Sequence, residues 1–135
     1  MWYVLEDTVP ANTTRANARE TSIKVHRGIL HTMFLTIPPG SGDLVHMQLR
    51  KGTYYILPRN EDKSFTGEHS ETLLKEWLEL PAETNRLTLR TWNNDTDHAH
   101  AVRMLVGVLP KAVMEVEEKY LRTLNMFMKL FRRRD

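Results

Sequence analysis

The sequence predicts a mainly β protein, a jelly-roll-like antiparallel β-sandwich with an N-terminal arm and a long C-terminal amphipathic α-helix. Three observations carry that expectation. Short runs rich in β-branched and aromatic residues recur from Thr21 to Pro110 with Gly, Pro, Asn and Asp between them. Almost no helical period separates those runs, so their faces must be buried by sheet packing on sheet. After Pro110 the apolar spacing changes from two to three or four residues.

The chain has 135 residues, 41% hydrophobic and 27% charged, which fits one domain with one core. At this length roughly two-thirds of the unfolded surface is buried on folding, so no staple is required. The sequence divides into an arm over 1–20, a sandwich over 21–110 and a helix over 111–135. In the arm, Trp2-Tyr3-Val4-Leu5 is an apolar patch followed by a stretch without helical or strand period, and Trp2 and Tyr3 are candidates to close on the sheet or on a neighbouring subunit.

Ile23 and Val25 alternate with polar neighbours, and Gly28 permits a bend before Ile29–Ile37. Pro38-Pro39-Gly40-Ser41-Gly42-Asp43 is the clearest turn, because neither proline donates to a ladder and the glycines accept positive φ. Val45, Met47 and Leu49 then share one face of a half-buried strand, and Lys51-Gly52 turns the chain into Thr53–Leu57. Arg59–Ser70 reads as a long loop with an edge strand around Phe65. Thr72–Leu80 has apolar spacing compatible with either helix or strand. Leu87, Leu89 and Thr91 alternate against Thr88, Arg90 and Trp92, and Asn93–Asp97 is a loop before the strand His100–Leu109. About eight strands result.

From Lys111 onward Val113, Val116, Tyr120, Leu124, Phe127 and Phe131 form one apolar stripe on a helix of about 36 Å. Two sheets already cover one another, so this stripe needs a further surface, and packing on another subunit is the expectation. Glu115, Glu117 and Glu118 near its start and Lys129, Arg132, Arg133 and Arg134 near its end match the helix dipole. The basic end Arg132-Arg133-Arg134 is compatible with nucleic acid, a membrane surface or an acidic protein groove, but a solvated terminus is the simpler reading. No interleaved aromatic platform accompanies it, so nucleic acid is not an expected partner.

Composition excludes several function classes. With no cysteine there are no disulfides, thiolate zinc sites, iron–sulfur clusters or cysteine nucleophiles. Nineteen basic against seventeen acidic residues give a net charge of +2, too balanced to name a polyanion partner. Seven of the basic and four of the acidic residues lie in 111–135, so the positive excess belongs to the helix. No apolar run reaches the roughly 20 residues of a membrane span, and the first residues lack a signal peptide's basic flank, which predicts a soluble, unprocessed chain with no membrane partner.

Chemistry-bearing residues are sparse. Ser22, Ser41, Ser64 and Ser70 sit in no nucleophile-elbow context, and no phosphate loop or isolated carboxylate pair is present, so a non-enzymatic protein is expected. His98 and His100 fall on one side of a strand near Asp95 and Asp97, but a third metal ligand such as His31 or His46 would have to arrive from another strand. Hydrogen-bonded histidines without a metal or other cofactor are the expectation. Pro39-Gly40 with His46-Met47-Gln48, and Gly52 with Pro58, partly resemble the two cupin motifs. Gln48 stands where a histidine ligand belongs and the other ligands are missing, so that likeness concerns the hairpin rather than metal chemistry. Trp77, Trp92, Tyr54 and Tyr55 are candidates to stack on sugar rings.

The order Gly28-Ile29-Leu30-His31, Ile37-Pro38-Pro39-Gly40, Leu44-Val45-His46, Ile56-Leu57-Pro58, Trp92-Asn93-Asn94-Asp95, His100 and Gly107-Val108-Leu109-Pro110 resembles small β-sandwich virion structural proteins of tailed bacteriophages. The resemblance covers about residues 22–110 and rests on turn and core signatures. It implies a component of the head or head-to-tail region, assembled in the host cytoplasm. It implies capsid, portal or neck partners and a homo-oligomer or symmetric array, and carries no functional residue with it. The expected function is therefore a non-enzymatic virion structural protein that docks through its arm and helix. A carbohydrate-binding sandwich is the alternative.

Overall fold

Nineteen residues, Arg19–Ile37, run as one strand, and their only interruptions are register shifts between His26 and Gly28 and between Leu30 and Thr32. Gly28 sits where the backbone is too close for a side chain, since a Cβ there would lie 2.0 Å from the Leu109 carbonyl oxygen. The strand therefore bends at Gly28 and serves two layers. This computed structural model describes residues 1–68 and 70–132, with backbone alone at 111, 113–115 and 117.

The elements in chain order are β1 (Trp2–Val9), a 3-10 turn (Arg15–Asn17), β2 (Arg19–Ile37), β3 (Val45–Lys51), β4 (Tyr54–Leu57), β5 (Phe65–Thr66), β6 (Ser70–Asn93), β7 (His100–Pro110) and α1 (Lys111–Arg132). Every pairing is antiparallel, in the order β1-β7-β2-β6-β3-β4 with β5 beside β3. β2 and β6 are each long enough to count as two strands, which gives eight principal strands. The first then pairs the last (β1 with β7) and the second the seventh (19–26 with 84–91). The third pairs the sixth (28–37 with 70–80) and the fourth the fifth (β3 with β4).

That nested pairing is the jelly-roll connectivity, completed by β2 against β7 and β3 against β6. One layer contains β1, β7 and the halves 28–37 and 70–80; the other contains β3, β4 and the halves 19–26 and 84–93. The mainly β jelly-roll sandwich is thus the observed fold. Its core draws Leu5, Val9, Met104 and Val106 from the first layer and Val45, Met47, Leu49, Leu87 and Leu89 from the second, all essentially buried. Burial of such side chains, at about 25 cal/mol per Å², is the main force holding the layers together.

One sequence expectation is corrected here. Residues 1–20 are not an arm outside the sheet: Trp2–Val9 pair with β7 from Gly107 to His100. The strand period is present, since Leu5 and Val9 are buried and Tyr3 and Asp7 half-buried while Trp2, Val4, Glu6 and Thr8 face out. The inward Asp7 masked it. That carboxylate is held by Arg19, which forms two hydrogen bonds to it, and by the Thr91 hydroxyl.

Thr72–Leu80 is strand, with Leu73 and Trp77 on its outer face. It pairs β2 on one side only, so it forms an edge of its layer. The 38–44 turn carries positive φ at Gly40, Gly42 and Asp43, and is anchored by the buried Ser41 hydroxyl, which donates to the Gly67 carbonyl at 2.9 Å.

Candidate functional site

β7 ends at Pro110 and α1 begins at Lys111, since proline fits the first turn of a helix and cannot continue a ladder. The 22 residues of α1 span about 33 Å. None of its described side chains belongs to the buried core, and from Glu118 to Arg132 every described side chain is exposed. Val116, Tyr120, Phe127 and Phe131 each retain about 60% of their surface in contact with solvent, and Leu124 46%.

At 100° per residue these five positions, with Leu121 and Met128, fill an arc of about 140°. A helix with such a face is ordinarily laid on a core, yet this one leaves the sandwich uncovered. Lys129 and Arg132 occupy the last turn, where positive charge suits the helix dipole. The acidic residues begin beyond the first turn, so their match to the dipole is weaker than the sequence implied. Val113, a stripe candidate, lies outside the described side chains, and Arg133 and Arg134 of the basic end lie outside the described residues.

Trp2 and Tyr3 part company because adjacent residues on a strand face opposite ways. Trp2 is 59% exposed and meets the His31 ring edge-on at 6.0 Å. It lies over Gly107, where a Cβ would come 3.0 Å from both rings. Tyr3 is half-buried, and its hydroxyl accepts the His26 backbone N–H at 3.2 Å. Only Trp2 is available to a partner, about 13 Å along β7 from the first residue of α1.

On the outer face of the second layer the structure assembles a polar cluster that sequence reading missed. His46 stacks on Trp92 with ring centroids 5.1 Å apart, and the guanidinium groups of Arg15 and Arg90 lie 5.2 and 5.5 Å from the Trp92 ring. Gln48, fully buried, donates to the carbonyls of Glu61 and Lys63, and Arg15 donates to those of Glu61 and Asp62. These bonds clamp the 59–64 loop over the sheet.

His46 Nδ1 and the Ser64 hydroxyl lie 2.7 Å apart. Burial, followed by the nearby Arg15 charge, pushes the His46 pKa down and favours the neutral ring. The other ring nitrogen, Nε2, lies 3.3 Å from the Asn94 side-chain amide, so both sides of the ring are tied to loop residues. Cross-strand spacing alone contained no signal for it, because Arg15 arrives from 31 residues before His46.

His100 Nε2 sits 2.7 Å from Asp95, while His98 is largely exposed and 3.9 Å from the same carboxylate. Asp95 also accepts the backbone N–H groups of Asp97 and His98, and these bonds with His100 hold its pKa down to about 2. Its lone pairs are spent on shaping the 93–98 loop. Among the described residues no three His, Cys, Asp or Glu side chains converge as a metal site.

The aromatic candidates also separate. Trp92 is only 4% exposed and is removed from any sugar-stacking surface. Tyr55 is half-buried; Tyr54 and Trp77 remain open, with Arg59 over the Tyr54 ring at 6.0 Å. Beside Tyr54, Lys51, Leu78, Glu79 and Arg86 line an open groove of about 540 Å³.

No protein-family model matches this chain, and no curated protein matches it. Among solved structures it is similar to the CBM36-1 domain of a multidomain xylanase from the hindgut metagenome of Trinervitermes trinervoides, at 11% identity over 82% of this chain and 99% of that one, with a TM-score of 0.46. It is also similar to the Yersinia pseudotuberculosis-derived mitogen, at 16% identity over 82% of this chain and 88% of that one, with a TM-score of 0.36. Likenesses this distant carry no argument about what the chain binds.

Proposed function

We propose that this chain is a non-enzymatic structural protein of a bacteriophage particle, held in place by another subunit that covers the apolar face of α1. The observation that carries the proposal is the exposure of Tyr120, Leu124, Phe127 and Phe131 along a helix that its own sandwich leaves uncovered. Three aromatic rings and several aliphatic side chains left in water make an isolated chain unfavourable against one with a covered stripe.

The resemblance over residues 22–110 to virion proteins of tailed phages supports the same reading, and the jelly roll, a fold of viral capsid and lectin domains alike, is compatible with it. Repeated around a ring or shell, one modest helix contact becomes a strong attachment. Trp2, exposed near the base of α1, extends the contact surface.

Truncation after Pro110 tests the proposal. The sandwich keeps its fold, because no described α1 side chain enters its core, and incorporation into particles is lost. Incorporation at the wild-type level would overturn the assignment.

A carbohydrate-binding sandwich is the second reading, favoured by the half-exposed Trp77 and by the groove beside Tyr54. It requires a glycan whose binding disappears in both Trp77→Ala and Tyr54→Ala with folding intact.

A further inference from the structure

We propose that the groove beside Tyr54 binds an acidic sugar, a pyranose whose carboxylate is held by Arg86 and Lys51 and whose ring lies against Tyr54. This rests on the second reading above, the carbohydrate-binding sandwich, and names the ligand class and its place.

The charge originates in the sheet register. Lys24 on β2 pairs directly with Arg86 on β6, beside the core-facing pair Ile23 and Leu87, so both cations stand on the outer face and both are exposed. Like charges directly opposite across two strands repel. Among the described residues neither side chain forms an ion pair or a hydrogen bond that would relieve this, whereas Arg15, Arg19, Arg50, Arg59 and Arg90 are each tied to a carboxylate or a carbonyl.

The groove is bounded by two fixed turns. Asn85, 2% exposed, accepts the Ala82 N–H at 3.3 Å and donates to the Ala82 carbonyl at 2.9 Å, which holds the bend carrying Thr84 and Arg86 in shape before any ligand arrives. Gly52, at φ +58°, makes the turn between β3 and β4 and brings Lys51, Thr53 and Tyr54 to the same groove. Its volume of about 540 Å³ is that of a small-ligand site.

Three cations, Lys24, Lys51 and Arg86, thus flank a groove whose lining includes one carboxylate, Glu79. Excess positive charge favours an anionic ligand, and the planar guanidinium fork of Arg86 matches a carboxylate with two hydrogen bonds. The rest of the lining suits a sugar. Tyr54, 44% exposed, offers an apolar ring face, while the Thr53 and Thr84 hydroxyls and the Glu79 carboxylate have hydrogen-bonding capacity for ring hydroxyls. A nucleic-acid strand fits less well, since its phosphates would run past Glu79 and its bases would find one aromatic ring in the lining.

The full-length protein is titrated with galacturonate, glucuronate and mannuronate tetramers, with their methyl esters, with inorganic phosphate and with a single-stranded oligonucleotide. The expected result is binding of at least one free-acid tetramer, weakened several-fold as salt rises from about 50 to 500 mM. Its methyl ester binds at least about tenfold more weakly. Arg86→Gln lowers the affinity by at least about tenfold and Lys24→Gln several-fold. Thermal midpoints stay unchanged in both variants, because each side chain is exposed.

Binding of none of the tetramers, equal binding of the methyl ester, affinity indifferent to Arg86→Gln, or tighter binding of phosphate or the oligonucleotide would overturn the assignment. A neutral glycan whose binding disappears in Trp77→Ala and Tyr54→Ala but survives Arg86→Gln would in those cases leave the carbohydrate reading standing.

Discussion

The carboxylate of Asp7 accepts two hydrogen bonds from the guanidinium of Arg19, at 2.7 and 3.0 Å, and ties the first strand of one layer to the start of β2 in the other. The Thr91 hydroxyl donates to the same carboxylate at 3.2 Å. Because the Thr91 side chain is buried, removal of Asp7 strands a donor as well as breaking the ion pair. Asp7→Ala therefore lowers the thermal midpoint by more than Arg19→Ala, whose partner is left with the Thr91 bond and solvent. Equal midpoints in the two variants would refute this account of how β1 is held.

Trp92 is a structural residue. Its ring is covered by His46, Arg15 and Arg90, and truncation removes the platform under all three. Trp92→Ala costs about 3–5 kcal/mol in urea unfolding, and it exposes the 10–18 and 59–64 segments to proteases. A variant of native stability would contradict the clamp described for this face.

Two glycines test the packing at graded severity. At Gly28 a methyl group would collide with the Leu109 backbone, which cannot move aside without breaking the ladder. At Gly107 the neighbours are the Trp2 and His31 side chains, which can rotate away. Gly28→Ala is thus the more destabilising, by about 1–3 kcal/mol or more, and Gly107→Ala mainly displaces Trp2, seen as a change in tryptophan fluorescence.

The pH dependence has two windows. Asp95 has a folded pKa of about 2, below its ordinary value of 3.8, so its contribution is complete above pH 3.8 and is lost as pH falls toward 2. The His46 pKa is also depressed, from 6.5, so protonation opposes folding and stability declines as pH falls below 6.5. Urea midpoints measured from pH 8 to pH 2 should fall in both windows. His46→Gln flattens the upper one and Asp95→Asn the lower.

Much of this fold was legible in local pattern. Val45, Met47 and Leu49 alternate cleanly and are fully buried, and the Pro38–Asp43 turn and the change of period at Pro110 stand where the sequence places them. β1 was not legible, because its inward Asp7 breaks the apolar alternation and is explained only by Arg19 and Thr91, residues distant in sequence. Gln48 and Trp92 lie on the face that alternation assigns to solvent, yet both are buried, since a loop folds across them. The stripe of α1 was readable as a helix face, and its exposure became apparent only once the core had closed without it.

Hydroxyl-radical footprinting of Tyr120, Phe127 and Phe131 tests most directly whether another chain covers α1. Labelling is compared between the chain in intact particles and the chain diluted until monomeric. The account predicts heavy labelling in the monomer and a several-fold loss of it in the particle. Equal labelling in the two states, or protection already complete in the monomer, would contradict it.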